Sequence, residues 1–213
     1  MNNLRIELII FIGFLCLNIS LLNAQNLKSP NGNLELKIKL NEEGTPLYSL
    51  NYKNISAILP SKLGIELKDI PSLIDGFKID EINKLIFRHK NPIKIISSIL
   101  VIKLIQPELD NRHIFLRFRL FNDGLAFRYE FPKQATLNYF VIKEEHTEFS
   151  LNGDHKIFWI PGDYDTNEYA YTTSKISEIP SKIEEATIFI NSQTPIQELA
   201  VQTPSMMKSD DGL

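Results

Sequence analysis

The sequence predicts an all-β (mainly β) protein: an antiparallel sandwich of many short strands with a few short helical turns. Apolar and charged side chains alternate through residues 34–40, the period of a half-buried strand. The same alternation runs through residues 116–120 and 125–131, on both sides of Asn122-Asp123-Gly124. Turn residues separate runs of this kind along most of the chain, and helix-period runs are scarce. Together these features describe stacked antiparallel sheets.

The chain has 213 residues, and residues 1–24 are expected to be a secretory signal peptide. Arg5 precedes an apolar run over 8–17, and Leu22-Asn23-Ala24 offers a small residue before a cut at Gln25. Such a run is too short and too weakly flanked for a membrane anchor. The expected product is exported, with no membrane association after cleavage. Cys16, the only cysteine, lies in this leader, so residues 25–213 hold neither a disulfide nor thiol chemistry. About 190 residues suffice for one large domain with its own core. A formal charge of −3, with both signs interspersed, gives no basic footprint for nucleic acid.

In chain order, Leu34, Leu36, Ile38 and Leu40 alternate with Glu35, Lys37 and Lys39 to give a strand with a charged outer face. Residues 41–44 turn the chain into a second strand over 47–52. Leu63, Ile65 and Leu67 mark a third, and further strands are expected over 99–105, 114–120, 125–131, 138–143, 148–151 and 157–160. Asp123-Gly124 suits a two-residue type I′ turn, because both central positions need positive φ. Closing the hairpin there pairs Leu120 with Phe127, Phe118 with Tyr129 and Leu116 with Phe131. It also sets Arg117 against Glu130, a favourable pair, and Arg119 against Arg128, which calls for an acidic neighbour or open water. Residues 173–178 and 180–186 are expected to form a helical turn or two, interrupted by Pro180.

Residues 82–105 are rich in Ile and Lys, with no acidic residue between Glu81 and Glu108. A buried strand with basic flanks is the expected role, since such a run would be an aggregation hazard if exposed.

The candidate chemistry is sparse. Glu144, Glu145 and Glu148 are expected on a solvated face. His89, His113, His146 and His155 are scattered, with no pair at a metal-ligand spacing. Neither a nucleophile elbow, a phosphate-cradling loop nor a Cys-x-x-Cys is present. The segment from Trp159 to Tyr171 gathers Asp163, Asp165 and Glu168 with Tyr164, Tyr169 and Tyr171 after a sharp Pro161-Gly162 exit. Asp163, Asp165 and Asn167 start like a helix-loop-helix calcium loop. Glu168 then stands where that loop needs glycine, and Ser174 where it needs the bidentate glutamate, so the motif fails. A hydrogen-bonded structural turn and a functional interface both remain open for this loop.

Several segments resemble the N-terminal domain of glycoside hydrolase family 97. They are Phe118-Arg-Leu-Phe-Asn-Asp-Gly124, Phe127-Arg-Tyr-Glu-Phe131, Tyr139-Phe-Val-Ile-Lys-Glu-Glu145 and the loop from Trp159 to Tyr171. Ser29-Pro-Asn-Gly32, Pro60-Ser-Lys-Leu-Gly64, Ser192-Gln-Thr-Pro195 and residues 206–213 extend the likeness over most of residues 25–213, which the resemblance implies to be one family 97 N-terminal β-sandwich domain, incomplete at its C-terminus.

The resemblance implies a galactose-mutarotase-like β-super-sandwich from an exported, periplasmic α-glucosidase or α-galactosidase. Family enzymes are typically calcium-dependent and place their catalytic carboxylates in a (β/α)8 barrel. The expectation is of a fragment or truncated product ending before that barrel, inactive alone, with neither a catalytic residue nor a calcium ligand of the family. The substrates implied for the parent enzyme are α-linked glucosides or galactosides. The barrel-facing surface is assigned to Asp163, Tyr164, Asp165 and Glu168. A free-standing periplasmic carbohydrate-binding module is the alternative, and it needs an exposed platform from Trp159, Tyr164, Tyr169 or Tyr171.

Residues 82–105 depart from the family, which usually carries a Trp-Gly-Glu stretch there. A compensated frameshift is one hypothesis for the Ile/Lys bias. Translating the coding DNA over 82–105 in the other two frames tests it: the idea fails if neither restores the motif.

Overall fold

A computed structural model describes residues 24–90, 95–188 and 200–210. The expected leader lies almost wholly outside the described residues, as do Ser192-Gln-Thr-Pro195 and residues 211–213. The chain divides into two compact units, Met1–Phe149 and Ser150–Leu213.

In the first unit, β1 (Gln25–Lys28), β2 (Leu34–Leu40), β3 (Pro46–Tyr52) and β4 (Ile55–Lys62) form an antiparallel meander. The alternation of β2 does what its pattern requires: Leu34, Leu36 and Ile38 are buried while Lys37 and Lys39 are exposed. Asn41–Gly44 turns the chain into β3. Gly44 has φ +80°, and a Cβ there would lie 2.6 Å from the backbone nitrogen of Phe77, so only glycine fits. Lys53 and Asn54 both take positive φ between the paired Tyr52 and Ile55, the geometry of a type I′ turn. β4 is an edge strand, which is where Pro60 costs no ladder hydrogen bond.

After β5 (Ile65–Leu67), a second antiparallel sheet is built from β6 (Lys78–His89), β7 (Ile95–Gln106), β8 (Arg112–Leu120) and β9 (Leu125–Glu130), in that order. β10 (Ile142–Glu145) pairs with β5. One core joins the two large sheets, with Leu36, Ile38 and Tyr48 packed in the same cluster as Leu100, Ile102, Leu116 and Phe118. The expected all-β sandwich is therefore present.

Several local expectations are corrected. The β8–β9 hairpin pairs Leu120 with Leu125, Phe118 with Phe127 and Leu116 with Tyr129, two residues from the expected register. Its loop spans residues 121–124, closed by Phe121 N–H donating to the Gly124 carbonyl at 2.8 Å, and none of the four takes positive φ. The like-charged pair is thus Arg117 with Arg128, not Arg119 with Arg128. Residues 138–141 form no strand; a 3-10 turn at Ala135–Leu137 precedes β10. Residues 146–150 are likewise irregular.

The suspect stretch 82–105 contributes to a long hairpin in which β6 and β7 pair from Lys78–Ile105 to His89–Ile95. β7 supplies the expected buried strand, whereas the latter half of β6 is exposed.

The second unit has β11 (Lys156–Trp159) between β12 (Thr172–Lys175) and β13 (Met206–Lys208), all antiparallel. Thr172–Lys175 is a strand, which corrects the helical turn expected from residue 173. A 3-10 turn at Ile176–Glu178 then leads into α1 (Ile179–Thr187). Pro180 stands in the first turn of α1, where its missing N–H costs nothing, so it starts the helix instead of interrupting one. Ile179 and Ile183 pack with Ile157 and Trp159 in this unit's core.

Candidate functional site

The loop from β11 to β12 is shaped by its backbone partners. Gly162 N–H donates to the Ala200 carbonyl at 2.7 Å, Gln202 N–H donates to the Ile160 carbonyl at 3.1 Å, and Pro161 bridges Val201. A Cβ on Gly162 would lie 2.5 Å from Cβ of Ala200, so the approach of the two segments depends on that glycine. The Gln202 amide then donates to the carbonyls of Thr166 at 2.7 Å and Asp163 at 3.3 Å, which pins the loop from below.

Within the loop, the Asp163 carboxylate accepts the Asp165 N–H at 2.8 Å and the Tyr169 hydroxyl at 2.6 Å. Asp163 therefore has the hydrogen bonds of a structural turn. Tyr169 is buried, and the Glu168 N–H is held by Thr166 Oγ1 at 3.1 Å. Tyr164 is 89% exposed and Tyr171 63%; Asp165 and Glu168 are also exposed.

The structure brings Asp163, Tyr164, Asp165 and Glu168 to one shallow depression of about 410 Å³ completed by Gln202. A neighbouring cleft of about 320 Å³ is lined by Gly162, Asp163, Tyr164 and residues 200–203. Gln202 and Ala200 were missed as members of this site. Their nearness depends on a return of the chain some forty residues later that no local pattern announces.

Trp159 is fully buried and its indole N–H donates to Ser174 Oγ at 3.0 Å. Neither Trp159 nor Tyr169 offers a face to a sugar ring, which narrows the aromatic platform to Tyr164 and Tyr171.

One cluster was not foreseen. Glu66 on β5 meets Glu144 and His146, with one potential ligand atom from each within 4.8 Å of the others. Glu66 also takes Lys143 Nζ at 2.6 Å and His146 Nε2 at 3.1 Å. Hydrogen bonds from Lys143 and then His146 hold the Glu66 carboxyl below its ordinary value. An ammonium at this distance and an imidazole donor do not suit calcium, which takes six to eight oxygens. This donor set does not fit the calcium that the resemblance implies; it is an exposed ion-pair network on the β5–β10 pair.

The architecture and the loop define a class: an antiparallel β-sandwich unit followed by a small three-stranded unit. The family model "Glycosyl-hydrolase 97 N-terminal" matches residues 27–213, and the chain belongs to glycoside hydrolase family 97 as its N-terminal domain. It is similar to a family 97 enzyme from Pseudoalteromonas sp. strain K8, solved with panose and with acarbose. Identity is 29% and the TM-score 0.69, over 88% of this chain and 27% of that enzyme. A β-arabinopyranosidase shares the fold at 21% identity and a TM-score of 0.57, over 67% of this chain and 24% of that one. The chain thus spans about a quarter of the length of these enzymes.

Proposed function

We propose that this chain acts as the non-catalytic sandwich of an exported, periplasmic family 97 α-glycosidase. Its role there is to brace the catalytic barrel and lend the loop of Asp163, Tyr164, Asp165 and Glu168 to the wall of the substrate pocket. The family match over residues 27–213 carries this reading. The loop supports it: a rigid base of Asp163, Tyr169 and Gln202 presents an exposed tyrosine and two exposed carboxylates, as a contact surface for another domain requires. The panose and acarbose bound to the Pseudoalteromonas enzyme are consistent with an α-glucoside as substrate of the parent enzyme.

Two experiments test the reading. The purified chain should hydrolyse neither aryl α-glucosides nor aryl α-galactosides, with or without calcium; turnover that persists through purification rejects it. Residues 27–213, grafted in place of the corresponding domain of the Pseudoalteromonas enzyme, should support activity. Tyr164→Ala in the graft should lower kcat/KM about tenfold, the scale of one lost wall contact. An unchanged value removes this loop from the pocket.

The second reading, a free-standing carbohydrate-binding module, is favoured only by the exposure of Tyr164 and Tyr171. Saturable tyrosine shifts on titrating maltooligosaccharides, lost in Tyr164→Ala, would favour it.

A further inference from the structure

The open edge of β6 has a charge order that complements itself when run antiparallel. β6 is the edge strand of its sheet, hydrogen-bonded only to β7 among the described residues, and it is twelve residues long. Leu85 is 56%, Ile86 64% and Phe87 40% exposed. A long apolar edge of this kind is a template for strand pairing. Behind Lys78, acidic residues stand at Asp80, which pairs with Lys103 of its own sheet at 2.7 Å, and at Glu81; basic residues end the strand at Arg88 and His89, and Lys90 follows it.

We propose that β6 pairs with β6 of a second copy of this chain, antiparallel about a two-fold axis at Leu85, making one continuous eight-stranded sheet. That register sets Glu81 against His89, Ile82 against Arg88, Asn83 against Phe87 and Lys84 against Ile86, and brings Lys90, just past the strand, towards Asp80 at the irregularity between Ile79 and Glu81. It contains no like-charged pair. A slip of two residues in either direction puts Lys84 opposite itself or opposite Arg88, and like charges directly opposed are destabilising. A slip of one sends the apolar set to the wrong face. On one face, Leu85 and Phe87 of both copies form a four-membered apolar cluster through the direct and diagonal contacts. Phe87 is already fixed there by the Arg119 guanidinium, 4.4 Å from its ring centre. On the other face Ile86 meets the Lys84 stem and the diagonal Ile86 of the second copy. Charge complementarity and the unpaired edge both select a second copy of the chain as the occupant, joined by an isologous contact.

Sedimentation velocity on the purified chain tests this across about two decades of concentration near 10 µM. The expected result is a monomer that becomes a dimer as concentration rises. Leu85→Lys places two ammonium groups on the axis and should leave only monomer. Because Leu85 is exposed, the thermal unfolding of this variant at low concentration should match the parent chain. His89→Glu sets a new carboxylate against Glu81 twice per dimer and should weaken association about fivefold or more. Adding Glu81→Gln to His89→Glu removes that repulsion and should recover most of the loss. A monomer at every concentration overturns the proposal, as does a dimer indifferent to Leu85→Lys, or open-ended aggregates without a discrete dimer.

Discussion

Gln106 receives the Arg112 guanidinium on a single oxygen, with Nε at 2.8 Å and Nη2 at 2.5 Å. The remaining reach of Arg112 goes to the carbonyls of Pro71 at 2.8 Å and Ser72 at 2.9 Å. The Gln106 amide donates in turn to the carbonyls of Ser72 at 3.0 Å and Asp75 at 2.7 Å. Arg112 is thus a buried cation solvated wholly by neutral oxygens, and burial lowers its pKa from the ordinary arginine value. The pair ties the segment 71–75 to the junction of β7 and β8.

Gln106→Leu should therefore cost about 3 kcal/mol, because it strips acceptors from a buried charge and leaves the charge in place. Adding Arg112→Met should cost less than the sum of the two single changes, since the charge is then gone as well. Urea titration followed by circular dichroism measures both. An additive pair would show that the two side chains do not act as a unit.

Glu130 answers the like-charged pair on the neighbouring strands. It takes Arg117 Nε at 2.6 Å and Nη2 at 3.2 Å, and Arg128 Nη2 at 2.6 Å. The hydrogen bond from Arg117, ahead of that from Arg128, holds the Glu130 carboxyl below its ordinary value. A depressed folded pKa contributes stability that is present above the unfolded value and is lost as pH falls through the folded one. Glu130→Gln should be destabilised by about 1 kcal/mol at pH 7, a figure discounted for the part-exposed setting. The difference from the parent should shrink steadily as pH drops below about 4. A difference constant from pH 7 to pH 3 would remove the charge from the explanation.

The same pair shows what the sequence could and could not disclose. Arg117 and Glu130 were expected to meet, and they do, although diagonally and not directly across. A shift of two residues preserves every face assignment, so the apolar set of Leu116, Phe118 and Leu120 was legible despite the wrong register. The register itself was misjudged because Asp123-Gly124 carries the cue for positive φ but does not adopt it. The type I′ geometry occurs instead at Lys53 and Asn54, which advertise it weakly. β4 and β6 escaped notice because an edge strand need not alternate: Pro60 and the two-sided exposure of residues 85–87 break the pattern. At the candidate site, Asp163, Tyr164, Asp165 and Glu168 were legible as a local cluster. The supports from Ala200 and Gln202 were not, since only tertiary contact brings them there.

Gly162→Ala is the most direct probe of that support. The new methyl would fall 2.5 Å from Cβ of Ala200 and 3.0 Å from its carbonyl carbon and oxygen, so the two segments must separate. The cost should be about 1–3 kcal/mol. Limited proteolysis should show earlier cleavage near residues 162–168 than in the parent chain. Ala200→Gly removes the methyl but not the backbone atoms, so it should restore only part of the protection. Full restoration would mean that the side chains alone set the approach.

Ser174 completes the core beneath the loop by accepting the Trp159 indole N–H at 3.0 Å while donating to the Lys175 carbonyl at 2.7 Å. Ser174→Ala leaves a buried indole donor without its acceptor, which should cost about 1–3 kcal/mol. Trp159 emission reports this change directly, because it is the only tryptophan and it is fully buried. The parent chain should emit at the short wavelength of an apolar site. That emission should be insensitive to added maltooligosaccharides and to soluble quenchers. In Ser174→Ala the same spectrum should persist at low urea, with an earlier transition to the solvent-exposed form. Strong quenching of the parent chain by iodide would place the indole at the surface and reopen Trp159 as a sugar platform.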